Sequence, residues 1–122
     1  MLVDAPCSGA GTFRRNPGAK LLVSEQFVRS LHSAQREILR QSAAYVRPGG
    51  RLVYSTCSLL RSENEQIIEE FLSGQEDFRP VSAPDILRAA GVPIDGDNLP
   101  LHLFPHRHST DGYFASVMER AQ

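Results

Sequence analysis

The hydrophobic pattern of this chain switches period several times, and that alternation constrains its fold more than any other feature. "MLVDA" (1–5) reads as the end of a buried strand, shorter than the about five or six residues of an ordinary one. A helical stripe follows. Phe27, Leu31, Ala34, Ile38, Ser42 and Tyr45 recur at steps of three and four, with Val28, Leu39 and Val46 alongside. With Ser24 as N-cap, this predicts a helix over 25–46 that "RPGG" (47–50) ends. "RLVYS" (51–55) is too brief for a helix and predicts a strand. Ser62 and Glu65 form a capping-box pattern ahead of Ile67, Ile68, Phe71 and Leu72, with Gly74 as the stop. From 75 to 112 the prolines at 80, 84, 93, 100 and 105 predict irregular chain, broken by a short helix over 85–91. "GYFASVM" (112–118) predicts a closing strand. Such an order implies an α/β fold with a mainly parallel sheet covered by helices.

The 122 residues suffice for one small domain. No apolar run approaches the roughly 20 residues that cross a bilayer, and no basic, then apolar leader opens the chain. The expectation is a cytoplasmic protein with no membrane partner, in which two cysteines stay thiols. Charge is divided unevenly. Residues 1–51 carry eight Lys/Arg against three Asp/Glu, and residues 52–122 carry five against eleven. The N-terminal side is therefore permissive of an anionic partner, although a solvated helix face explains the arginines equally well.

Open parallel sheets bind ligands beyond the carboxyl ends of their strands. Cys7 and Cys57 each follow a predicted strand, so they should share one rim although fifty residues apart. Three readings stand for them. Free cysteine is often only a buried space-filler. Zinc would need His106 and His108 as further ligands, but paired C-x-x-C spacing is lacking, so no metal is expected. Covalent catalysis needs a thiolate in a polar or electropositive setting. Thr56 and Ser58 adjoin Cys57, and Arg14 and Arg15 follow Cys7.

"VDAPCSGAGTFRRNP", "GGRLVYSTCSLLRSENEQIIEEFL" and "FPHRHSTDGYFASVMER" closely resemble the RNA cytosine carbon-5 methyltransferases of the Sun/RsmB type, in the family's order. The ending is most like the branch acting on bacterial small-subunit ribosomal RNA, with transfer RNA the other substrate class. The resemblance implies S-adenosylmethionine as cofactor and RNA as partner. It implies that Cys57 is the nucleophile, that Cys7 assists release, and that Asp4 lies at the cofactor and target-base site. Arg14, Arg15 and Lys20 could contact RNA phosphates, although loop solubility explains them equally well, and the base must leave its stack to reach the sulfurs.

The resemblance also implies a fold and a gap. Residues 1–122 would be the C-terminal half of a Rossmann-like S-adenosylmethionine-dependent methyltransferase domain, with a mainly parallel sheet and a terminal antiparallel strand. In the family's strand order, 3-2-1-4-5-7-6, this chain would supply 4-5-7-6. The glycine-rich cofactor loop and the N-terminal RNA-binding region would belong to a missing N-terminal half, leaving residues 1–5 as an open edge. The alternative is a truncated, inactive remnant that at most binds RNA weakly, or a piece of a transfer RNA methyltransferase.

Overall fold

The structure, a computed structural model, describes residues 1–96 and 100–122. Among the described residues, five strands and four helices follow one another as β1 (Leu2–Asp4), α1 (Glu25–Ala43), β2 (Arg51–Thr56), α2 (Glu65–Gly74), β3 (Phe78–Val81), α3 (Ala83–Ala89), β4 (Leu101–Leu103), α4 (Pro105–His108) and β5 (Tyr113–Arg120). The sheet runs β1-β2-β5-β3, and β4 lies on the same side of β5 as β3, nearer its start. β1 and β2 are parallel, while β2, β3 and β4 all pair antiparallel with β5. Four strands thus point one way and β5 alone runs against them, as expected of a mainly parallel sheet with a terminal antiparallel strand.

Alternation along β2 sorts its two faces. Leu52, Tyr54 and Thr56 are buried, while Val53 and Ser55 are only half-buried. Leu52 and Tyr54 meet Val3, Met118 and Phe114 from the neighbouring strands, and Leu39, Ala43, Ile67 and Phe71 from α1 and α2, in one core. Complete burial of side chains such as Leu39, Leu52 and Ile67 stabilises the fold by about 1.5–3 kcal/mol each. Leu2, Asp4, Val53 and Ser55 share the opposite face.

Several local expectations meet the structure differently. Ser24 caps α1 by accepting from the Phe27 amide at 3.1 Å, but the helix closes at Ala43. Residues 44–46 tighten into a three-residue hydrogen-bond pattern before Gly49, whose φ of +70° turns the chain. The buried face of α1 is Val28, Gln35, Leu39 and Ala43, with Val46 beyond it. Phe27, Ala34, Ile38 and Tyr45 of the expected stripe are exposed. The stripe was displaced because a polar residue, Gln35, occupies the centre of the core-facing sector. The capping box does not form either. Ser62 sits inside a 3-10 turn, Arg61–Glu63, and Asn64 precedes α2 with its side chain committed to the Cys57 turn. Within the stretch read as irregular, β3 and β4 form as short strands on β5. Pro80 is tolerated because, among the described residues, β3 pairs along one side only. Residues 97–99 of that stretch lie outside the described residues.

Candidate active site

The Cys7 and Cys57 sulfurs lie 3.3 Å apart, both half-buried. Strand register brings them together. Asp4 stands opposite Ser55, and the Ala5 amide extends the ladder by donating to the Ser55 carbonyl at 2.9 Å. Two parallel neighbours ending level must release their next residues onto one rim. Burial, and then the hydrogen bond with Cys57, push the Cys7 thiol up to about 12 from an ordinary 9.0. Cys7 therefore keeps its proton at neutral pH, within hydrogen-bond reach of the Cys57 sulfur.

Backbone contacts fix the surrounding loops. The Gly11 amide donates to the Cys57 carbonyl at 2.8 Å, and the Gly112 amide donates to the Gly11 carbonyl at 2.7 Å. A Cβ on Gly11 would fall 2.3 Å from the Gly112 oxygen, so only glycine permits this three-way approach of the Cys7 loop, the Cys57 turn and the start of β5. Beneath the sulfurs lies a fully buried polar cluster that hydrophobic periodicity does not reveal. Glu63 accepts from the Ser8 amide (2.8 Å), the Ser8 hydroxyl (2.7 Å), the Gln35 amide (3.2 Å) and the Ser58 hydroxyl. Gln35 also donates to the Pro6 carbonyl at 2.8 Å. Asn64 accepts from Thr56 at 2.5 Å and donates to the Ser58 carbonyl at 2.8 Å. One sequence signal could have pointed here: each cysteine is followed by a serine, and both serines meet Glu63.

The other expected residues are placed as follows. Asp4 is exposed at the end of β1, on the face away from the core, and accepts from the Ser55 hydroxyl at 3.3 Å. Arg15 pairs with Asp111 at 2.6 Å, and Arg14 approaches it at 3.7 Å, both arginines remaining more than half exposed. Lys20 is exposed on a 3-10 turn, Pro17–Leu22. His106 and His108 sit on α4, where His108 Nδ1 accepts from the Phe104 amide at 2.9 Å. Among the described residues no group of three or more His, Cys, Asp or Glu is arranged to hold a metal, and no helix is long and apolar enough to cross a membrane.

The family model described as 16S rRNA methyltransferase RsmB/F matches residues 1–119. A probable ribosomal RNA small subunit methyltransferase B of Bacillus subtilis is 40% identical over 121 residues, covering 98% of this chain and 27% of that protein. Ribosomal RNA small subunit methyltransferase F of Escherichia coli is 34% identical over 125 residues, covering 100% of this chain and 26% of its own length. The chain thus spans about a quarter of the length of these relatives. Among solved structures, PH0851 superimposes with a TM-score of 0.87 at 36% identity, over 98% of this chain and 26% of that one. NSun6 from Pyrococcus horikoshii shares the fold with a TM-score of 0.78 at 23% identity, over 99% of this chain and 29% of that one. The match of that family model over residues 1–119 shows that the chain belongs to the RsmB/F family of 16S ribosomal RNA methyltransferases.

Proposed function

We propose that this chain is the sulfur-bearing part of an enzyme that methylates carbon-5 of cytosine in RNA, with small-subunit ribosomal RNA as substrate and the cytoplasm as its place of action. The observation that carries the reading is the 3.3 Å approach of Cys7 and Cys57 on one rim of the sheet.

Carbon-5 of cytosine is a poor nucleophile. Addition of the Cys57 thiolate to carbon-6 forms a carbon–sulfur bond and moves the 5,6 double-bond electrons toward carbon-5, which becomes enamine-like. The Asp4 carboxylate would accept a hydrogen bond from the exocyclic amine of the base and so orient it. After substitution at carbon-5, a base removes the proton there. The carbon-6–sulfur bond then breaks, which restores the double bond and returns the electron pair to Cys57. Cys7 assists this release. Burial, and then the hydrogen bond and charge of Cys57, hold its proton, and the charge is absent while Cys57 is bonded to the base. Arg14, Arg15 and Lys20 would meet RNA phosphates.

S-adenosylmethionine would supply an electrophilic methyl group. Residues present here fit only one margin of its site: Asp4 is exposed at the open side of β1 with acceptor capacity to spare. The remainder would come from a preceding, cofactor-binding segment. That requirement is supported by the unpaired edge of β1 and by exposed apolar side chains beside it, with Leu2 at 67% and Tyr45 at 80% exposure. The chain alone is expected to give no heat of S-adenosylmethionine binding on titration.

The test is a chimera in which this chain replaces the matching part of the Bacillus subtilis relative. RNA containing 5-fluorocytosine should form a covalent adduct that Cys57→Ala abolishes, because fluorine blocks release. With unmodified RNA, Cys7→Ala should accumulate an adduct. An adduct that survives Cys57→Ala would overturn the assignment.

A further inference from the structure

Glu63 stands out as a fully buried acid that the reaction scheme above does not use. Burying a carboxylate costs several kcal/mol unless hydrogen bonds replace its water. Here four donors do so, and their origin matters more than their number. Ser8 directly follows Cys7, and Ser58 directly follows Cys57. One oxygen takes the Ser8 amide and Gln35; the other takes both serine hydroxyls. The Tyr54 hydroxyl donates to the Glu63 main-chain carbonyl at 2.7 Å, which anchors the acid to β2. A single side chain therefore spans the two sulfur-bearing loops, 55 residues from one serine and five from the other. An apolar residue could fill the same core space at lower desolvation cost. It could not bind both loops.

We infer that Glu63 is a positioning residue: its buried carboxylate holds the loops after Cys7 and Cys57 in register, so that both sulfurs reach one pyrimidine. The second half of that statement rests on the proposed methyl-transfer reading. The first half concerns only the thiol pair and can be tested without RNA or cofactor.

Phenylarsine oxide is a suitable probe. Its arsenic accepts two thiolate sulfurs, the oxygen leaves as water with the two thiol protons, and no redox change occurs. It bridges only sulfurs that reach the same atom. Glu63→Ala should weaken bridging of Cys7 to Cys57 about 10-fold or more, since small displacements of reacting groups are costly. Glu63→Gln should stay within about threefold of wild type, because its amide oxygen can still take the Ser8 amide while its NH2 donates to the serine hydroxyls. Circular dichroism identifies folded variants. Wild-type bridging in folded Glu63→Ala would overturn the inference, and so would a Glu63→Gln loss as large as that of Glu63→Ala. Should Glu63→Ala fail to fold, Ser58→Ala removes the Glu63 bond to the Cys57 loop alone, and unchanged bridging there overturns it equally.

The adduct assay separates the two claims. A Cys57-dependent adduct in the wild-type chimera, with bridging indifferent to Glu63, would refute the positioning role and leave the methyl-transfer reading standing. Loss of bridging in Glu63→Ala with no adduct in wild type would support the thiol register and refute the reading.

Discussion

Gly11→Ala should damage the site without touching a reactive atom. The added Cβ would lie 2.3 Å from the Gly112 oxygen and 2.8 Å from the Cys57 oxygen, where ordinary contact begins at 3.4 Å. Relief of the first contact requires the two segments to part by about 1 Å. That movement stretches the Gly11–Cys57 and Gly112–Gly11 backbone hydrogen bonds, now 2.8 and 2.7 Å. Losing them costs about 1 kcal/mol each, and residual overpacking adds about 1 kcal/mol or more. The expected destabilisation is therefore about 2–4 kcal/mol. With a urea dependence of about 1–1.5 kcal/mol per molar for a domain this small, the midpoint should fall by about 2 M. Gly18→Ala is the control: no heavy atom lies within 4 Å of its added Cβ, and its stability should stay within about 0.5 kcal/mol of wild type. Equal urea midpoints for Gly11→Ala and Gly18→Ala would refute the steric argument.

Two further outcomes are expected. Leu39→Ala empties a fully buried position between α1 and the sheet and should cost about 2–5 kcal/mol in urea unfolding, depending on how far the core collapses. The Cys7 thiol should make stability fall with alkalinity. The folded chain holds its proton to about 12, whereas an unfolded thiol releases it near 9.0. Its contribution is thus full below pH 9 and is lost as pH rises toward 12. The urea midpoint of wild type should decline more steeply over that window than that of Cys7→Ala, and parallel declines would contradict the assignment.

The convergence of Cys7 and Cys57 was legible in the sequence because it depends on strand order alone: parallel neighbours that end level deliver their next residues together. The N-cap at Ser24 was legible for a similar reason, being decided within three residues. Elements that depend on distant partners were not. β4 is three residues long and β3 contains Pro80, so neither carries a strand signal of its own; each exists because β5 offers an edge. Gln35 shows why the stripe on α1 was misplaced. Hydrophobic periodicity assigns polar residues to solvent, whereas this one is buried against Glu63 and the Pro6 carbonyl. Ser62 and Glu65 matched a capping pattern whose geometry is pre-empted by Asn64 bonding to Thr56 and Ser58. Recognition of the family was legible from three short motifs, while the acid that links two of them was hidden inside one.

β5 has one further consequence, for the order of folding. Every strand it joins precedes it, yet it occupies the middle of the sheet rather than an edge. Until residues 113–120 have been synthesised, β1 and β2 cannot be connected to β3 or β4, and the hydrophobic side of β2 is left half-assembled. Closure of those distant pairings sets a slow final step, so shortening the chain by a few residues from its carboxyl side should be far more disruptive than the same loss from an exposed loop.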